Sequence, residues 1–194
     1  PGATSLGVAK KRMGIHDAAA GRQLSVLQGV YKSESDTTQR SQAIGALMYA
    51  YGYIKDNWQQ AVDRYTRQCS IGVNAKDLAV MAATLAFGGR NPVTGKQVMD
   101  ASKVPGVLAV MATAGLYDDS GKWLYHTGLP GKGGVGGGII AVSPGKFGIA
   151  VVSPPLDDAG NSVRAQRAIR DVSAALNGNP YASQPPRPVG TTGR

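Results

Sequence analysis

Ile139-Ile140-Ala141-Val142-Ser143-Pro144-Gly145-Lys146-Phe147-Gly148-Ile149-Ala150-Val151-Val152-Ser153 is the stretch that decides the fold class. Two β-rich runs, 139–143 and 147–153, flank Pro144-Gly145. Proline presets φ for the first central position of a type II turn, and glycine supplies the positive φ of the second. The two runs are therefore predicted to pair as an antiparallel hairpin.

Upstream of the hairpin the pattern is helical. Residues 38–51 place Ile44, Leu47, Met48 and Tyr51 on one face, with Gly52 just past the end. Asp56 is the expected cap of a second helix, striped by Trp58, Val62, Tyr65 and Cys69. Asn74 is the expected cap of a third, with Leu78, Met81, Ala82 and Leu85 facing inward and Gly88-Gly89 ending it. Asn91-Pro92-Val93-Thr94-Gly95 reads as a turn, and a helix over 103–114 tolerates Pro105 in its first turn. Residues 123–128 read as extended. Downstream, a last helix over 162–176 keeps Ala165, Ala168, Ile169, Val172 and Leu176 in register. Residues 179–194 carry Pro180, Pro185, Pro186 and Pro188 and little that is apolar, which predicts a flexible tail. Helices before and after an antiparallel sheet make an α+β domain over residues 1–178.

The chain has 194 residues, 42% of them hydrophobic and 17% charged, enough for one domain with its own core. No apolar run approaches the roughly 20 residues of a membrane span. One cysteine, Cys69, excludes an intramolecular disulfide framework, and two histidines, His16 and His126, do not suggest a metal centre. No metal or other cofactor is expected. A single thiol leans toward a reducing, cytoplasmic compartment. The formal net charge is +9, but it is spread along the chain and not interleaved with stacking aromatics. That pattern predicts a solvated basic surface and not a nucleic-acid interface.

Two motifs mislead. Gly131-Lys132-Gly133-Gly134-Val135-Gly136 satisfies G-x-G-x-x-G, but a dinucleotide loop runs from strand into helix, and here strand-like Ile139–Val142 follows. Ser143-Pro144-Gly145-Lys146 fits S-x-x-K, a spacing that brings an amine to a hydroxyl only across one helical turn. A hairpin tip cannot do that. Asp118-Asp119 and Asp157-Asp158 sit in apparent turns and are read as structural.

Other stretches carry more weight. They are Val30-Tyr31-Lys32-Ser33-Glu34, Tyr65-Thr66-Arg67-Gln68-Cys69-Ser70, residues 77–86, residues 91–95, Gly115-Leu116-Tyr117-Asp118, Gly128-Leu129-Pro130-Gly131-Lys132, Ser153-Pro154-Pro155-Leu156-Asp157 and Gly160-Asn161-Ser162-Val163. In that order and spacing they resemble the serine-dependent glutaminases, nearly to residue 177. The resemblance implies the fold of serine β-lactamases and penicillin-binding proteins, an antiparallel sheet flanked by helices. It implies hydrolysis of L-glutamine to L-glutamate and ammonia through a glutamyl-serine intermediate.

Residue roles follow from the same resemblance. Tyr117 matches the proton-transfer tyrosine; a free phenol has a pKa of about 10, so it needs a nearby cation to act as a base near neutral pH. Lys132, from the family's Lys-Ser-Gly strand motif, is the candidate cation. Val135 matches a donor of the oxyanion hole through its backbone N–H. Glu34 and Tyr65 match substrate-binding positions, an anionic Glu34 suiting the α-ammonium of glutamine. Tyr117 and Lys132 are thus expected to face the same cleft as Glu34 and Tyr65.

The chain departs from the family at three points. Ser41 stands at a substrate-contacting Asn position, and Gly133 stands where the family has the Ser of Lys-Ser-Gly. The family's Ser-x-x-Lys and Asn-Ala-Gly-Ala segments precede the block that begins at Gly2-Ala3-Thr4-Ser5-Leu6. The expectation is an N-terminally incomplete chain, the C-terminal portion of the domain, inactive alone. Homodimers or homotetramers are expected from the resemblance. A serine hydrolase acting on β-lactams or peptidoglycan peptides, and a non-catalytic binding or assembly module, are the alternatives.

Overall fold

A computed structural model of the protein describes residues 5–182. The Gly2–Thr4 end of the first block and residues 183–194 of the expected tail lie outside the described residues.

The hairpin forms as expected. Strand β4 (Gly138–Ser143) pairs antiparallel with β5 (Phe147–Val152), Ser143 opposite Phe147. The Lys146 N–H donates to the Ser143 carbonyl at 3.0 Å, and Gly145 takes φ 71° between them. On the other edge of β4 lies β3 (Gly131–Gly134), also antiparallel, giving the order β3-β4-β5. The glycine-rich segment is thus a second hairpin running strand to strand, which disposes of the dinucleotide motif.

Strand alternation places β4 between two cores. Ile139 and Ala141 face one side with Leu116, Trp123, Leu129, Ala165 and Ile169. Val142 faces the other with Ala82, Ala86 and Met111. The first core is covered by α7 (Ser120–Thr127) and α8 (Val163–Ala175); the second by α5 (Ala75–Ala86) and α6 (Val104–Ala114). The result is three layers, helices on both faces of a small antiparallel sheet. At Gly148 the backbone of β5 meets that of α5 so closely that a Cβ would collide with Ala82 and Ala83.

Earlier helices lie beside this sandwich. They are α1 (Ser5–Ala20), α2 (Gln28–Asp36), α3 (Gln39–Ala50) and α4 (Trp58–Cys69), with a two-residue ribbon joining β1 (Ser25–Val26) to β2 (Ile71–Gly72). Asn74 caps α5 as expected, in a reciprocal box with Asp77. The 91–95 turn also forms: Asn91 Oδ1 accepts from the Val93 and Thr94 N–H groups, while its Nδ2 donates to the Ala18 and Ala19 carbonyls at the end of α1.

Three expectations are corrected. Residues 123–128 are not extended: 123–127 belong to α7, which Gly128 ends at φ 67°. Trp123 decides this, since it is buried in the core and its indole N–H donates to the Leu129 carbonyl at 2.7 Å. The cap of α4 is Asn57, whose side chain accepts from the Gln60 N–H; Asp56 instead pairs with Arg64 at 3.7 Å. The Ile44, Leu47, Met48 and Tyr51 stripe of α3 is exposed, and Gly45 is the buried position because α4 packs there through Val62.

Candidate active site

Tyr117 sits in a 3-10 turn between α6 and α7 with φ 53°. A left-handed backbone at a tyrosine costs on the order of 1–3 kcal/mol and persists only where the surroundings hold it. Here the carbonyls on both sides are engaged. The Gly133 N–H of β3 donates to the Gly115 carbonyl at 2.9 Å, Asp119 N–H to that of Leu116 at 3.1 Å, and Ser120 Oγ to that of Tyr117 at 2.7 Å. Gly115 must be glycine, since a Cβ there would strike the Gly131 carbonyl.

The same strand delivers Lys132. Its ammonium stands 4.6 Å from the centroid of the Tyr117 ring, within cation–π range, and bonds the Gly133 carbonyl. Lys132 is exposed as a residue, yet its charged end is desolvated enough that burial lowers its pKa. Val135, at the β3–β4 turn, is exposed and borders the same place. A Cβ on Gly160 would lie 3.4 Å from a Val135 methyl and 3.8 Å from the Tyr117 ring, so one loop touches both.

Two more positions join from the other helices. Tyr65 lies exposed on α4, and Glu34 lies exposed on α2. The Cys69 thiol, one turn along α4, raises the Tyr65 phenol above its ordinary value, and burial and negative charge at Tyr117 and Glu34 push the same way. Tyr65 thus feels charge at both Tyr117 and Glu34. Ser41, on α3, meets this group at Tyr65: both line an apolar cavity of about 310 Å³ with Ile44, Met48 and Val62. Lys132, Tyr117 and Val135 are thus brought together by direct contacts, and Ser41 and Tyr65 share a second cavity.

A network that sequence reading did not pick out fixes α2 against α4. The Tyr31 hydroxyl donates to Asp63, the Arg67 guanidinium donates to the Tyr31 oxygen at 2.9 Å and to Asp63 at 3.0 Å, and it lies 4.3 Å from the Tyr31 ring centroid. Burial of Asp63 raises its pKa, but the Tyr31 and Arg67 bonds outweigh this and hold it below the usual carboxylate range. Glu34 follows Tyr31 by three residues and Tyr65 follows Asp63 by two, so the network sets the distance between the helices that carry them. Tyr31 and Arg67 lie inside two of the quoted blocks, which was the available signal.

Ser143 and Lys146 are elsewhere. Ser143 Oγ donates to the Gly178 carbonyl at 2.7 Å and Lys146 Nζ to that of Asn177 at 2.6 Å, pinning the end of α8 to the hairpin. Asp157 is structural: burial raises it, but the Asn161 N–H, the Gln166 amide and two further N–H groups hold it low. Among the described residues no group of three or more His, Cys, Asp or Glu could hold a metal, and no helix is long and apolar enough to cross a membrane.

The family model described as glutaminase matches residues 8–181. A glutaminase of Colwellia psychrerythraea is 54% identical over 164 residues, which cover 84% of this chain and 53% of that protein. A solved structure of the probable glutaminase ybaS superposes with TM-score 0.91 at 44% identity, covering 94% of this chain and 59% of that one. A crystal structure of Mglu in its glutamate form superposes with TM-score 0.89 at 36% identity, covering 95% of this chain and 42% of that one. The architecture is that of the β-lactamase-like fold these structures share. The chain spans about half the length of the curated relatives it matches.

Proposed function

The chain belongs to the glutaminase family, and from that premise we propose that the protein hydrolyses L-glutamine to L-glutamate and ammonia by acyl transfer through a serine. The single observation that carries the site is the Lys132 ammonium stacked on Tyr117, with the Val135 turn beside it.

In this reading the Tyr117 oxygen takes the proton of the attacking serine and passes it to the departing ammonia. The Lys132 ammonium favours negative charge on that oxygen. The Val135 N–H donates to the oxyanion of the tetrahedral intermediate, where preorganised donors are worth several kcal/mol, about 2.7–4 for one donor. Glu34 receives the α-ammonium of glutamine and Tyr65 its polar end. The one Ser-x-x-Lys spacing in the sequence is spent on the hairpin at Ser143–Lys146, so the proposal draws its nucleophile and the lysine partner from outside these 194 residues. A homodimer or homotetramer is part of the same reading, tested by sedimentation.

Ammonia release from glutamine by the full chain, beside a chromogenic β-lactam, tests the reaction. Turnover of glutamine alone supports it. Turnover of the β-lactam alone replaces it with the related serine hydrolase, and glutamine binding without turnover replaces it with a binding module.

A further inference from the structure

We propose that Asn161 is a positioning residue for Tyr117: its carboxamide couples the Tyr117 turn to the strand that carries Lys132. The inference rests on the reading of the site given above and deepens it.

Asn161 is fully buried in the loop that leads from β5 to α8. Its backbone is fixed by Asp157, whose carboxylate accepts the Asn161 N–H at 2.8 Å and whose own N–H donates to the Asn161 carbonyl at 2.8 Å. The side chain is then aimed at the site. Nδ2 donates to the Leu116 carbonyl at 3.1 Å, the peptide group that leads directly into Tyr117. That bond settles which end of the carboxamide is nitrogen, because a carbonyl can only accept. Oδ1 points the other way, onto Gly133, and has no hydrogen-bond partner.

A buried acceptor without a donor is uncommon in a folded protein and is costly to keep. Its position explains why it is kept. The atom fills the place where a Cβ on residue 133 would stand, next to Lys132. One side chain therefore presses on the backbone of β3 and holds the carbonyl before Tyr117 at the same time. The Tyr117 backbone needs such support, since it takes φ 53° without being glycine. Gly133 is the other half of the arrangement. A residue with a side chain there must displace the carboxamide, and with it the bond to Leu116.

Two variants of the full chain disturb this joint from opposite sides: Asn161→Leu removes the donor while keeping the branched shape of the side chain, and Gly133→Ala pushes the carboxamide away with the donor intact. The expected result for both is a loss of about tenfold to a hundredfold in kcat for glutamine, since misplacing a reacting group by about 1 Å costs that much. KM should stay within about twofold. A kcat within twofold of the parent in whichever of Asn161→Leu and Gly133→Ala folds overturns the proposal, and so does a rise in KM that accounts for the whole loss.

A crystal structure of the same variant needs no substrate and separates this inference from the assigned reaction. The Lys132–Tyr117 separation should open from 4.6 Å to beyond the cation–π range of about 6 Å. An unchanged separation overturns the positioning role even if the parent hydrolyses glutamine. An opened one supports it even if the parent does not.

Discussion

The ammonium of Lys132 stands over the face of the Tyr117 ring, 4.6 Å from its centroid, although the two residues belong to different elements. The β3 edge brings them together, because the Gly133 N–H binds the Gly115 carbonyl and so draws the Tyr117 turn against the strand. Tyr117→Phe keeps the ring, and hence the seat of Lys132, while deleting the oxygen. It should lower kcat by about 10²–10⁴, the usual weight of a general acid–base group, with KM little changed. A steady-state assay of ammonia release checks this; a loss confined to KM would make Tyr117 a binding residue only.

Lys132 gives that site a pH limit. Burial lowers its pKa, so the cation is lost on the alkaline side earlier than at an ordinary lysine. Activity should be present below that lowered pKa and fall as pH rises through it. Lys132→Arg, charged throughout, should remove this limb from the kcat–pH profile. A limb unmoved in Lys132→Arg would assign it to another group.

Tyr31→Phe tests the clamp between α2 and α4. It removes a hydroxyl that donates to Asp63 and accepts from Arg67, leaving the Asp63–Arg67 pair in place. The cost in stability should be about 1 kcal/mol. The expected kinetic effect is a several-fold rise in KM for glutamine with kcat retained, since the roles proposed for Glu34 and Tyr65 are in binding and not in proton transfer. An unchanged KM would show that the two helices hold their spacing without the network.

Much of this was legible from local signals. Pro144-Gly145 specifies its turn by backbone geometry alone, and Asn74 with Asp77 three residues on specifies a helix start, so both could be read without knowing the fold. Trp123-Leu124-Tyr125-His126-Thr127 could not, because aromatic and β-branched residues favour strands until a tertiary contact overrules them. That contact is the burial of Trp123 against Leu129. The α3 stripe shows the opposite failure: its apolar spacing is helical, but Gly45 is what α4 packs against. In the site, Tyr117, Lys132, Val135, Glu34 and Tyr65 came from a resemblance, since no spacing links residues so far apart in sequence. Asn161 escaped because its partners, Leu116 and Gly133, are neighbours only in space.

Asp77 should govern acid stability where Arg22 binds it. Both guanidinium contacts are short, at 2.7 and 2.6 Å, and the carboxylate also accepts the Asn74 N–H. The Arg22 bond holds the Asp77 pKa below its ordinary value against the opposing effect of burial. A carboxylate depressed in this way contributes stability above its unfolded pKa of about 3.9, and that contribution is lost as pH falls through the folded value. Asp77→Asn should therefore cost stability at neutral pH and flatten the loss of Tm on acidification. A parallel decline of Tm with pH in both proteins would show that Asp77 does not carry the acid limb.

Ser41→Asn addresses affinity. Serine offers a shorter reach and one donor where an asparagine offers a carbonyl and two. Ser41 lines the same cavity as Tyr65, the position proposed to bind the polar end of glutamine. One regained hydrogen bond to a charged group is worth roughly 1.5–3 kcal/mol, which should lower KM by about tenfold or more. An unchanged or raised KM would mean that the pocket has already adapted to serine.

Ser143→Ala decides whether the tempting motif is a decoy. Ser143 and Lys146 have the spacing of a nucleophile and its lysine, but they close a hairpin and spend their side chains on the Gly178 and Asn177 carbonyls. Ser143 is buried, so alanine leaves the Gly178 carbonyl without that donor at a cost of about 1–3 kcal/mol. For a domain of this size each kcal/mol lowers Tm by about 2–4 °C. The expected outcome is thus a lowered Tm with kcat for glutamine intact at a temperature where the variant is folded. A serine that forms the acyl-enzyme would give the reverse: Tm hardly moved and turnover reduced by several orders of magnitude. That second pattern would put the nucleophile in the hairpin and displace Tyr117 and Lys132 from the reaction, because their cleft is not where Ser143 points.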